Sequence, residues 1–106
     1  MRLRARTDNN HAEIVNALRA IGASVADTSR VGHGFPDIVV GFRGRNWLIE
    51  IKDGTAKPSA QKLTVAQVEF KATWMGHWAV VRSVSEAVGV VSRVDATDGV
   101  WIGNDW

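Results

Sequence analysis

Two apolar runs either side of a tight turn constrain the fold of this chain more than any other feature. Asp37-Ile38-Val39-Val40 reads as a buried strand, Phe42-Arg43-Gly44-Arg45 as a turn and Trp47-Leu48-Ile49-Glu50-Ile51-Lys52 as the returning strand. With Arg43-Gly44 as a two-residue loop, Asp37 falls directly opposite Glu50, and both side chains leave the sheet on one face. Lys52, two residues further on, shares that face. A register slip of one residue would send Asp37 to the opposite face, whereas a loop longer by two residues would keep the parity. Pro36 fits the first position of a strand.

Glu50 lies between Ile49 and Ile51, and Asp37 is followed by apolar residues, so a solvated charge pair on an edge is a poor account of them. Two close carboxylates repel each other, and a cation or generous hydrogen bonding is what keeps both ionised. Hard oxygen ligands favour magnesium or manganese. Such an ion polarises a phosphate oxygen and lowers the pKa of a water, while a lysine alongside holds the nucleophile or offsets charge developing on the phosphorane. The expectation is therefore a metal site at Asp37 and Glu50 that acts on a phosphodiester, with Lys52 beside it.

The remaining segments read as helices and strands around this hairpin. Asp8 to Ile21 carries Ile14, Ala17, Leu18 and Ile21 at helical spacing, and Gly22 is placed to end the helix. Ala23 to Thr28 reads as a short strand and Ser29 to Phe35 as a glycine-bearing loop. Asp53 to Lys62, with Gly54 and Pro58, reads as an exposed, mobile loop beside the site. Thr64 to Met75 forms a second helix with Val65, Val68, Ala72 and Met75 on one face, stopped by Gly76. His77 to Arg82 is a strand, and Ser83-Val84-Ser85-Glu86 is a capping-box sequence for a third helix ending near Ser92. The order is αβββαβα, and the crossover from Lys52 to Trp78 calls for a parallel strand pair, so the sheet is mixed.

Two polar residues have competing local uses. Asn10-His11-Ala12-Glu13 and Thr64-Val65-Ala66-Gln67 are both capping-box patterns, which would occupy Glu13 and Gln67 at helix starts. Arg43, Arg45, Lys57 and Lys62 fall in loops and are candidates for backbone phosphates. Trp47 and Trp78 are expected in the core, whereas Trp101 and Trp106, with Val100 and Ile102, are candidates for a partner surface.

Composition sets outer limits. With 106 residues and 45% hydrophobic content the chain is expected to form one domain, residues 1–106, with one modest core. It has no cysteine, which excludes a disulfide framework and thiolate zinc sites and agrees with a cytoplasmic setting. The first residues lack an apolar run of the kind a signal peptide needs, and no run approaches membrane length, so no membrane partner is expected. The formal charge is +2, with ten of the thirteen basic side chains in residues 1–62, a bias that suits a polyanionic partner but that charge alone assigns to ordinary solvated surface.

Four linked segments carry a resemblance: Glu13 in the first helix, Gly32-His33-Gly34-Phe35-Pro36-Asp37, Glu50-Ile51-Lys52, and Leu63-Thr64-Val65-Ala66-Gln67. In this combination the chain resembles the PD-(D/E)XK nuclease superfamily and, within it, the short stand-alone VRR-NUC domains, over about Glu13 to Ala87. P-D…E-x-K alone arises often by chance, and the glycine-rich approach and L-T-x-x-Q in the same order make the match more specific. The resemblance implies an α/β, restriction-endonuclease-like core with a mixed central sheet flanked by helices. It implies a Mg2+- or Mn2+-dependent endonuclease in which Asp37, Glu50 and the Ile51 carbonyl bind metal and Lys52 lies beside the water. Glu13 would support the metal or its water, and Gln67 would orient the site. It further implies branched DNA such as Holliday junctions as substrate and a homodimer, as in phage-encoded enzymes. A flap, nicking or restriction-like nuclease is the alternative within enzymes; a non-catalytic nucleic-acid-binding module is the alternative outside them, against which the retained Asp, Glu and Lys speak.

Overall fold

A turn with both central residues at positive φ, Arg43 at 54° and Gly44 at 79°, closes the central hairpin. Strands β2 (Ile38–Phe42) and β3 (Arg45–Ile51) pair antiparallel with Ile38 opposite Ile49 and Phe42 opposite Arg45, the register expected from a two-residue loop. In the computed structural model, which describes residues 9–93, the order is α1 (His11–Ala20), β1 (Ser24–Asp27), β2, β3, a short 3₁₀ turn at Pro58–Gln61, α2 (Val65–Thr73), β4 (Trp78–Val81) and α3 (Val84–Val91). The sheet runs β1-β2-β3-β4, with β1 and β2 antiparallel and β3 and β4 parallel, so the mixed α/β sheet expected from the crossover is present. No helix among the described residues is long and apolar enough to cross a membrane. The apolar tail residues Val100, Trp101, Ile102 and Trp106, and the helix start at Asp8, lie outside the described residues.

The alternation of β2 and β3 divides the molecule into two layers. Ile38, Val40, Trp47, Ile49 and Ile51 face α1 and α3 and form the core with Ile14, Leu18, Val81, Ala87 and Val91. The opposite face carries Leu48, Glu50, Lys52 and Trp78, and α2 lies over it, with Lys71 above the Trp78 ring and Gln67 bonded to Glu50. Trp47 and Trp78 are both buried, as expected.

The stripe Val65, Val68, Ala72 and Met75 is left uncovered by the described residues: Val65 is 75% exposed, Met75 87%, and α2 has no fully buried residue. Two local readings need correction. The helix ends at Thr73 rather than at Gly76, because Trp74 turns extended and stacks its ring on Phe70 at 5.3 Å. Finally, the segment 53–62 is tied down: Gln61 donates to the carbonyls of Gly54 and Ala56, and Arg82 Nε donates to Gln61 Oε1.

Candidate active site

The site lies at the open end of the β2–β3 hairpin, where β2 gives out at a proline. In the antiparallel ladder Ile49 faces Ile38, so Glu50 and Asp37 come next and Ile51 falls opposite Pro36 one pair further on. Pro36 has no N–H, so the Ile51 carbonyl receives no strand donor from it. The Ile51 N–H turns instead to Asp37 Oδ2, 2.8 Å away. Asp37 is thus pinned by one oxygen, and its other oxygen makes no hydrogen bond to the described residues. Two further bonds fix the approach: Thr28 N donates to Asp37 O and Thr28 Oγ1 to Pro36 O, each at 2.8 Å.

Glu50 and Lys52 lie on the same face as Asp37 and are only 4% and 8% exposed. Their charged atoms stand 3.8 Å apart, and the side chain of Gln67 joins them. Gln67 Nε2 donates to Glu50 Oε2 at 2.8 Å, while its Oε1 accepts from Lys52 Nζ at 3.0 Å. The same Oε1 accepts from Thr64 N at 2.9 Å, and Gln67 N donates to Thr64 Oγ1, completing a capping box at the start of α2. The two competing uses of Gln67 are therefore one arrangement, in which the cap fixes the amide that orients the carboxylate and the ammonium.

The glycine-rich approach has a steric reason. Gly34 is at φ +78°, and a Cβ there would lie 2.3 Å from the Ala66 carbonyl oxygen, so loop 32–34 can meet the first turn of α2 only as glycine backbone. Phe35 packs edge-on against Phe70 in the same contact. Both sides of the site, Asp37 through the loop and Gln67 through the helix, are located by this approach.

Asn10, which sequence reasoning reads as a cap, does something else. Its Nδ2 donates to the carbonyls of Lys52 at 3.2 Å and Arg82 at 3.1 Å, splinting the ends of β3 and β4 to the start of α1. It makes no side-chain capping bond, so the Asn10–Glu13 capping box is not formed. Glu13 is carried in that first turn, exposed and without a hydrogen bond to the described residues. It does not join Asp37 and Glu50 in a cluster, since among the described residues no group of three or more His, Cys, Asp or Glu side chains could hold a metal ion. The oxygen donors that this end of the hairpin offers are the Asp37 and Glu50 carboxylates and the Ile51 carbonyl. That set fits an ion such as magnesium, which keeps several waters and takes few protein ligands.

The loop cations divide into two groups. Lys57 and Lys62 flank the 3₁₀ turn at its two ends and are exposed. Arg43 and Arg45 do not surround the site as their loop position suggested, because they occupy the closed end of the hairpin, about five residues or 17 Å of strand away from Asp37. Arg43 lies over the Phe42 ring, and Arg45 donates to the Arg93 carbonyl. Elsewhere, buried His11 bonds Asp27, whose carboxyl is held below its usual range first by the Ser29 hydroxyl, then by the Ser29 N–H, and further by His11.

A mixed sheet with helices on both faces and polar groups gathered where β2 ends and β3 passes under α2 defines a restriction-endonuclease-like α/β fold. A solved structure described as a VRR_NUC domain aligns with this chain at a TM-score of 0.54 and 23% identity, covering 83% of this chain and all of that one. At that identity the likeness is one of fold. No family model matches the sequence, and neither does any curated protein.

Proposed function

We propose that this chain is a metal-dependent endonuclease that hydrolyses DNA phosphodiester bonds. The observation that supports this reading best is the buried Glu50–Gln67–Lys52 arrangement beside Asp37. Removing a carboxylate and an ammonium from water costs several kcal/mol per ion, a cost that a buried apolar pair of similar volume would not carry. Charges retained on such terms point to chemistry.

Asp37, Glu50 and the Ile51 carbonyl are the residues that would hold Mg2+ or Mn2+. When bound, the ion supplies positive charge to a phosphate oxygen and a water of lowered pKa. The Ile51 N–H fixes the orientation of Asp37, and Gln67 fixes that of Glu50. Lys52 carries its ammonium to the reacting phosphate, where it orients the nucleophilic water and offsets charge developing on the phosphorane. Glu13 is assigned to ordering water at the site, and Lys57 and Lys62 to the phosphate backbone.

The substrate is assigned as branched DNA, cut by a homodimer, because the described residues hold one such site and resolving a junction requires paired cuts that two-fold symmetry supplies. Cleavage of matched linear, flap and four-way DNA with magnesium, manganese or chelator tests the reading. The expected result is metal-dependent cutting with the four-way junction preferred. Equal cutting of linear duplex removes the branched-DNA assignment, a monomer in sedimentation with and without junction removes the dimer, and no cutting with either metal overturns the proposal.

A further inference from the structure

Next to the candidate site a groove of about 590 Å3 opens between β4, the first turn of α2 and the 3₁₀ turn, within the size range of ligand-binding clefts, roughly 300–1,000 Å3. Its apolar surface comes from Pro58, Leu63, Val68 and Val80. Val80 is the register partner of Glu50, so the two side chains rise from one face of the sheet about one strand spacing, or roughly 4.8 Å, apart. Val68 directly follows Gln67, the residue bonded to Glu50. The groove is thus continuous with the place assigned to the reacting phosphate.

Its charged lining is cationic. Among the described residues Lys62 and Arg82 line it and no carboxylate does, Glu50 lying beyond its edge at the candidate site and Glu86 accepting from the Arg82 N–H; Lys57 stands just before Pro58. Lys62 makes no ion pair with the described residues, and Arg82 uses only its Nε, on Gln61, leaving the two terminal guanidinium nitrogens without a described partner. Gln61 is itself committed on both amide atoms, which holds the wall of the groove in place. An apolar floor with a cationic rim beside a phosphate-cleaving centre matches one chemistry: a flat apolar base whose flanking phosphates need neutralising. Bases in a duplex are stacked and paired and cannot lie on such a floor, whereas an unpaired or splayed nucleotide can.

We propose that the groove formed by Leu63, Val68 and Val80 under Lys62 and Arg82 binds an unpaired nucleotide of the DNA strand next to the scissile phosphate. This rests on the nuclease reading and gives it a physical basis for choosing branched or single-stranded DNA over continuous duplex.

The test compares the wild type with the double variant Leu63→Ser/Val68→Ser, both folded by circular dichroism, binding three probes in chelator at fixed salt. The probes are a twelve-nucleotide oligothymidylate, an abasic strand of the same length and a blunt duplex. The variant is expected to bind oligothymidylate at least about fivefold more weakly, with abasic strand and duplex unchanged within about twofold. The single variant Val68→Ser, at a position already 51% exposed, should shift the same way if the double variant fails to fold. Unchanged oligothymidylate affinity, or equal loss on all three probes, overturns the groove proposal alone. Failure of the wild type to bind any probe overturns the nucleic-acid reading beneath it. Loss of self-association by the variant with DNA binding intact would assign the groove to a second copy of the chain and overturn the proposal likewise.

Discussion

Gln67 serves as a cap and as a positioning residue through different atoms, so the two roles separate by mutation. Thr64→Ala removes the hydroxyl that accepts from Gln67 N at 3.2 Å and leaves the Gln67 side chain with all its bonds. The loss is that of an N-cap, about 0.5–2 kcal/mol, equivalent to a melting shift on the order of 4–8 °C per kcal/mol in a domain of this size. Gln67→Ala keeps the Thr64 hydroxyl bond and removes three others: Thr64 N, Lys52 Nζ and Glu50 Oε2 all lose their partner. Two of these are charge-assisted, each contributing about 1.5–3 kcal/mol. Glu50 and Lys52, already 3.8 Å apart, can close part of the gap, so a net destabilisation of roughly 2–4 kcal/mol is expected. The rates should divide more sharply than the stabilities. Single-turnover cleavage with saturating magnesium, at a temperature where both variants are folded, should be close to wild type for Thr64→Ala. For Gln67→Ala it should fall by more than about tenfold, a transition-state loss above about 1.4 kcal/mol. Wild-type turnover by folded Gln67→Ala, or an equal rate loss in Thr64→Ala, would refute the positioning role.

Lys52→Ala should abolish cleavage while calorimetric titration shows metal affinity unchanged or raised, since a neighbouring positive charge is removed; lost metal binding would contradict that division of labour. Gly34→Ala should destabilise far more than Gly32→Ala: both glycines are at φ +78°, but only at Gly34 would the Cβ meet Ala66 backbone, at 2.3 Å. Gly32→Ala should cost about 1 kcal/mol from its backbone conformation, and equal denaturation midpoints for the two variants would dismiss the loop–helix contact. Asn10→Ala should lower stability by about 1–3 kcal/mol and slow cleavage, because it frees the ends of β3 and β4, whereas Asn10→Asp should fare no better, since a carboxylate cannot donate to the two carbonyls.

Local rules alone make the central hairpin and its polar face legible in the sequence. The Arg43-Gly44 loop and the period of two fix the register, and the register puts Asp37, Glu50 and Lys52 on one face without knowledge of the rest of the chain. The same rules mislead where the question is what lies opposite. Val65, Val68, Ala72 and Met75 keep helical spacing, but spacing identifies an apolar face and says nothing of what packs on it; α2 is held instead by Gln67, Phe70 and its contact with Gly34. Arg43 and Arg45 are close to the site residues in sequence and far along the hairpin in space. Asn10 was beyond reach, because its partners lie 42 and 72 residues away and an asparagine before a helix reads as a cap. Residues 53–62 read as mobile from Gly54 and Pro58, while the bonds of Gln61 and Arg82 that tie them down are between side chains and positions fixed only in the folded chain.

Asp37 and Glu50 carry the central claim, that two carboxylates at the end of this hairpin hold the metal that cleaves DNA. The most direct measurement is single-turnover cleavage of a four-way junction with magnesium by Asp37→Asn and Glu50→Gln, each confirmed as folded and still able to bind the junction. The account predicts that both variants bind and neither cuts. Cleavage by either at the wild-type rate would contradict it.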